Sequence, residues 1–354
     1  MLYHATLYLK QFCRHLDVFH YVSVRAICSL IGALVFSFAF GDRFVSASRT
    51  FFRTKTRPLV PECHLSKGDM PTMGGIFIIA TVVVNTLLWA DLSKPLPWLL
   101  MLCLVSFGTI GGWDDWCKIS RKRGIAARTK LLLQIITAFA ILGLWLWATD
   151  TPTTITIPFL KHMHVDLGIL FVLWAVFVLV GASNAVNLTD GLDGLAIGSL
   201  IPNFVTFSLI AYAAGHWGIA SYLHIPFAGT AEVAILGTTL VGASLGFLWY
   251  NAYPAQIFMG DIGSLALGAT LALMALMAKQ ELLLSVAGGL FVFETITVIM
   301  QVLYFKLTGK RIFKMAPIHH HFELLGWPES KITARFGIIT IVLCLLALMT
   351  LKLR

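Results

Sequence analysis

The chain has 354 residues, 58% of them hydrophobic and only 12% charged, with a mean hydropathy of +0.84. Soluble domains carry roughly a quarter charged residues, so this composition excludes an ordinary soluble protein and describes an integral membrane one. The net charge of +9 is read first as the excess of Lys and Arg that membrane proteins keep in cytoplasmic loops, and no nucleic-acid partner is expected.

The first 23 residues place Lys10, Arg14 and Asp17 among apolar residues. That interrupts any leader-like apolar run and predicts an interfacial helix over about 1–23. A span needs roughly 20 mostly apolar residues. On that basis ten are expected near 24–42, 72–91, 96–113, 130–149, 166–184, 196–214, 231–250, 262–279, 282–305 and 335–352. The chain is therefore expected to be one all-α polytopic membrane domain over 1–354, with its site built by loops at one face. Thr151 to Pro158, rich in β-branched residues and bounded by prolines, reads as a small hairpin or a plain linker. The six cysteines form no CxxC pair, which argues against a disulfide framework or a zinc ribbon.

Charge sets the topology. The loops after spans one, three and nine hold six Lys and Arg each, against eight elsewhere. Both termini are therefore expected outside. Asp114, Asp115, Asp190, Asp193 and Asp261 then all fall at the inner ends of spans.

The polar stretches, in chain order, point to phosphate and metal. Lys67 precedes the turn-rich Pro71 to Gly75 and could clamp a phosphate as a point charge. Asp114 and Asp115 close an apolar run and precede a basic stretch that includes Lys122 and Lys130. Neighbouring helical side chains point about 100° apart, so two different roles are expected for this pair. Asn187, Asp190 and Asp193 have helical spacing and are expected on one face, followed by Gly194. The loop from Trp249 to Ser264 contains Asn251, Phe258 and Asp261 but no Lys or Arg. Oxygen ligands of this kind suit Mg²⁺. Span nine carries Glu294 and Gln301 on one face, and a carboxylate inside a span is a functional candidate. His319, His320 and His321 are consecutive and lack the partners of a zinc site, so phosphate hydrogen bonding is their functional reading. Carboxylates, cations and histidines at one membrane face describe phosphoryl transfer with a divalent cation and a lipid substrate.

Five motifs carry a resemblance: Pro71 to Gly75 (PTMGG), Trp113 to Asp115 (WDD), Asn184 to Gly194 (NAVNLTDGLDG), Gln256 to Asp261 (QIFMGD) and Ala316 to Glu323 (APIHHHFE). In this order they resemble the phospho-N-acetylmuramoyl-pentapeptide transferases (the MraY family of polyprenyl-phosphate sugar-1-phosphate transferases), over nearly the whole chain. The resemblance implies ten helices with periplasmic termini, a bacterial inner-membrane location and an active site facing the cytoplasm. It also implies transfer of phospho-N-acetylmuramoyl-pentapeptide from its UDP derivative to undecaprenyl phosphate, giving lipid I and UMP, with Mg²⁺. By motif, Asp261 resembles the metal ligand, and Asp114, Asp115 and Asp261 with His319, His320 and His321 resemble catalytic residues. Lys67, Lys122, Lys130, Asn187, Asp190, Asp193, Gly194, Asn251, Phe258 and Gln301 are the expected substrate-binding set. A direct attack with Asp114 as base is expected over a covalent phospho-enzyme, and a homodimer is compatible with the resemblance. The nearest rival is a related N-acetylglucosamine-1-phosphate transferase; a transporter would place ionisable residues near the midplane, where Glu294 is the one candidate.

Overall fold

The computed structural model describes residues 1–10, 14–51, 70–121, 123–157 and 164–352. The helices are α1 (Leu2–Leu9), α2 (Val22–Phe51), α3 (Gly75–Trp89), α4 (Pro95–Arg121), α5 (Ala127–Ala148), α6 (Leu170–Thr189) and α7 (Leu195–Ala214). They continue as α8 (Trp217–Leu223), α9 (Ala231–Asn251), α10 (Gly260–Met277), α11 (Glu281–Ala287), α12 (Gly289–Thr308), α13 (Ile318–Glu323) and α14 (Glu329–Lys352). Nine of these, among the described residues, are long and apolar enough to cross a membrane.

The expected second span is the exception, being a 15-residue helix. Residues 71–74 leave it for a different backbone partner. Phe258 donates its N–H to Pro71 O (2.9 Å), while Gly74 and Gly75 donate to the carbonyls of Phe258 and Met259, each at 2.9 Å. The PTMGG motif is thus a loop clasped to the QIFMGD loop. Other boundaries also move. The amino-terminal interfacial segment is a short α1 followed by a 3₁₀ turn over Arg14–His20, and span nine breaks at Gly288 into α11 and α12. The stretch Thr151 to Pro158, expected as a small hairpin or a linker, supplies one strand, β1 (Thr154–Thr156), which pairs antiparallel with β2 (His164–Asp166) beyond Pro158 in the register Ile155 opposite Val165.

Helix α10 is the axis of the bundle, buried without interruption from Ile262 to Met277. Its residues there are Ala, Gly, Leu, Met, Ser, Thr and Ile, and small side chains let neighbouring backbones approach when lipid offers no hydrophobic drive. It packs chiefly against α4 and α6, while α9 packs against α2 and α7. By contrast α2, α5, α12 and α14 leave most of their apolar surface exposed, as expected for lipid-facing helices.

At the end of the bundle where α2 and α9 begin, Arg25 forms a two-pronged pair with Glu232, Nη1 to Oε2 at 3.0 Å and Nη2 to Oε1 at 2.8 Å. Arg25 is 2% and Glu232 1% exposed. Removing one partner of such a pair strands the other charge, which costs about 3–5 kcal/mol. Glu232→Ala is therefore expected to lower the thermal unfolding midpoint in detergent clearly, while activity per folded molecule stays at the wild-type level, because the pair lies at the end opposite the cavity described next.

Candidate active site

The ends of α4, α6 and α9 and the first turn of α10 meet around a cavity of about 420 Å³. Asp115, Lys118, Asp190, Asn251, Phe258 and Asp261 line it, together with Asn187, Thr72 and the turn Gly191–Leu192. Five of the motifs' polar side chains expected from the sequence are thus brought together from four separate chain segments.

Glycine contacts place the carboxylates. A Cβ at Gly111 on α4 would lie 2.2 Å from the carbonyl oxygen of Asp261, and one at Gly75 would lie 2.2 Å from Gly263 N. Without side chains there, α10 starts directly against α4 and α3. Asp115 then reaches the exposed first turn of α10, where its Oδ2 accepts the Ile262 N–H at 3.2 Å. A carboxylate at that position complements the helix dipole.

One ligand atom each from Asp114, Asp115 and Asp261 lie within 4.8 Å of one another. The sequence pointed to Asp261 alone as metal ligand and to divergent roles for the Asp pair; the fold instead converges all three. The Lys118 ammonium sits among them, 2.8 Å from Asp114, 3.2 Å from Asp115 and 2.8 Å from Asp261. Lys130 pairs with Asp261 and lies 3.6 Å from Asp114. Three hard oxygen donors in one cluster are the chemistry that Mg²⁺ prefers, and the lysines show that cationic charge is stabilised there. Lys118 was missed in the sequence, although its spacing of three and four from the Asp pair is that of helical ion pairs.

The members of the Asp pair do differ. Asp114 accepts the Ile125 N–H at 2.7 Å and so ties down the α4–α5 connection, whereas Asp115 is on the cavity wall. Asp190 also faces the cavity; burial pushes its carboxyl up to about 8, with the negative charges of Asp261 and Asp115 adding to the shift.

Other expected site residues take supporting positions. Asp190 and Asp193 do not share a helix face, because α6 stops at Thr189 and Gly194 turns the chain with φ +73°. Asp193 instead points away from the cavity wall, buried, and accepts the Ala255 N–H at 3.1 Å. Gly194 donates to Asn251 Oδ1 (3.1 Å), whose amide donates to Ile257 O (2.8 Å), so Asn251 ties the α6–α7 turn to the QIFMGD loop. Asn187 donates to Ser264 Oγ at 2.8 Å. Gln301 is not at the cavity: it accepts the Ile312 and Phe313 N–H groups and donates to Phe313 O, each at 3.0 Å, holding the loop before the histidines. Lys67 and Lys122 lie outside the described residues.

The three histidines diverge, since successive positions of a helical turn face different ways. His319 is fully buried with its Nδ1 3.1 Å from Glu294 Oε1. His320 Nδ1 is 2.6 Å from Glu323, and His321 Nδ1 accepts the Lys314 N–H at 3.1 Å. None of the three lines the cavity, and their divergence agrees with the expectation that consecutive histidines do not converge on one ion.

The model of glycosyl transferase family 4 matches residues 97–279, a stretch that contains the carboxylate cluster, the α6–α7 turn and the QIFMGD loop. A curated phospho-N-acetylmuramoyl-pentapeptide-transferase of Solidesulfovibrio magneticus is 48% identical over 361 aligned positions, covering 100% of both chains.

Proposed function

The chain belongs to glycosyl transferase family 4 and, by its full-length identity, to the phospho-N-acetylmuramoyl-pentapeptide transferases, and from that membership we propose how it works. It transfers phospho-N-acetylmuramoyl-pentapeptide from the UDP derivative to undecaprenyl phosphate, giving lipid I and UMP, a membrane step of peptidoglycan synthesis. The observation that carries the site assignment is the convergence of Asp114, Asp115 and Asp261 beside the cavity. The rival N-acetylglucosamine-1-phosphate reading has no comparable support.

Mg²⁺ is the cofactor that this donor set fits: Asp261 would hold it, with Asp114 and Asp115 close by, and it would supply charge neutralisation on the diphosphate. The protein's own groups do the rest. Lys118 and Lys130 compensate charge at the transferring phosphoryl group, and the Asp114–Asp115 pair accepts the proton of the lipid phosphate, whose oxygen then attacks the β-phosphorus directly. Phe258, on the cavity wall, offers an apolar face for the uracil, with Asn187, Asp190 and Asn251 supplying polar contacts. Lys67 and Lys122 are retained as phosphate-binding candidates. A base and a nucleophile fed by cytosolic nucleotide sugar require this end of the bundle to face the cytoplasm of a bacterial inner membrane, in keeping with the basic loops.

Purified wild-type protein in detergent is expected to release UMP from UDP-N-acetylmuramoyl-pentapeptide only when undecaprenyl phosphate and Mg²⁺ are both present. Chelation should stop turnover, and added Mg²⁺ should restore it. UMP release from UDP-N-acetylglucosamine at a comparable rate would reject the substrate assignment.

A further inference from the structure

Glu294 is an acidic residue inside the lipid-facing helix α12, and the reaction makes no use of it. It is 0% exposed on α12, and both its oxygens leave that helix for another. Oε2 accepts the Ile318 N–H at 2.9 Å, and Oε1 lies 3.1 Å from His319 Nδ1. A carboxylate is an acceptor only, so Nδ1 carries the proton and donates. This fixes the ring's rotation, as an orienting carboxylate does for a functional histidine elsewhere.

The other ring nitrogen is the point of interest. His319 Nε2 is buried and has no hydrogen-bond partner among the described residues. Buried polar atoms are nearly always paired, so an orphan one calls for an explanation. Nε2 is packed against Gly191: a Cβ added there would lie 2.3 Å from it. Gly191 is itself a wall of the cavity, next to Asp190. A chain of contacts therefore runs from a lipid-facing helix, through one carboxylate and one imidazole, to the turn that bounds the nucleotide-sugar cavity.

We propose that Glu294 is the positioning residue of His319, holding Nδ1–H toward itself so that Nε2–H of the doubly protonated ring is presented at the Gly191 wall to a phosphoryl oxygen of the reacting substrates. This rests on the phosphoryl-transfer reading. Glu294 touches no substrate; it acts through the imidazole. Interactions made with the reacting phosphoryl group weigh on kcat more than on KM.

The test is a double-mutant cycle on the full-length protein, with UMP release as readout and UMP binding measured calorimetrically on the same preparations. Glu294→Gln, which can still accept the Ile318 N–H, is expected to lower kcat about 10–100-fold, the range found for outer-shell groups that orient a functional imidazole. KM for the UDP substrate and affinity for UMP should stay within about threefold, as for a group engaged in the transition state. His319→Asn keeps a donor toward Glu294 but has no Nε2, and should show the same loss. In that background Glu294→Gln should add nothing. Multiplying losses, a Glu294→Gln enzyme within twofold of wild type, or loss of UMP binding together with turnover would each overturn the proposal. If the wild type itself fails to release UMP, the reaction assignment has failed rather than the positioning role.

Discussion

Asp261→Asn is expected to reduce UMP release by about 10³-fold or more, because an electrostatic group at the reacting centre is commonly worth that much. The isosteric amide keeps the volume and removes the charge. Asp261 holds both lysines of the cluster, Lys118 at 2.8 Å and Lys130 by a direct ion pair. Without it the Lys118 ammonium retains only Asp114 and Asp115, and the divalent-cation site loses the carboxylate contributed by α10. Mn²⁺ binding followed by paramagnetic resonance should weaken in parallel with turnover. The thermal midpoint should shift little, since this carboxylate is partly exposed at the cavity and water can solvate the freed lysines. Retention of wild-type metal affinity in Asp261→Asn would reject the assignment and move the metal to the Asp114–Asp115 pair.

Gly111→Ala is expected to be nearly as damaging, although it touches no substrate. The added methyl would meet Asp261 O at 2.2 Å, Asp261 C at 2.5 Å and Ile262 N at 2.6 Å. All three are backbone atoms, so no rotamer change relieves the clash and α10 must move away from α4. Overpacking of this kind costs about 1–3 kcal/mol. The larger effect is on chemistry: Asp261 is drawn away from Asp114 and Asp115, and a displacement near 1 Å can cost about 10²-fold in rate. Gly112→Ala is the control. Its Cβ would meet only the flexible end of Ile262 at 3.1 Å, so stability and turnover should stay close to wild type. Equal losses in both variants would show that the small residue matters for the α4 helix itself and not for the approach of α10.

Much of the architecture was legible because it follows from local chemistry. Apolar runs of bilayer length give helices wherever backbone groups cannot be satisfied by water, and the spans starting near 96, 130, 196 and 231 match α4, α5, α7 and α9 closely. The first strand of the hairpin was marked by β-branched residues between prolines, while its partner β2 lies beyond them. The start of the span expected at 72–91 is where tertiary structure intervenes: Pro71 accepts from Phe258, and Gly74 and Gly75 donate to Phe258 and Met259, nearly 190 positions along the chain, so α3 begins only at Gly75. No local pattern encodes that.

The site divides in the same way. Sequence alone determined that this is a polytopic membrane protein, that its carboxylates gather at span ends on one side, and, through five ordered motifs, which family it resembles. These are properties of composition, spacing and charge, which do not depend on which helix lies beside which. Only the tertiary structure decided that Asp114, Asp115 and Asp261 form one cluster around Lys118, that Asp193 and Gln301 brace loops instead of lining the cavity, and that Glu294 reaches across to His319. Each of those outcomes is set by close helix contacts at glycines and by buried hydrogen bonds between distant segments, where a side chain's role depends on the partner that the fold delivers.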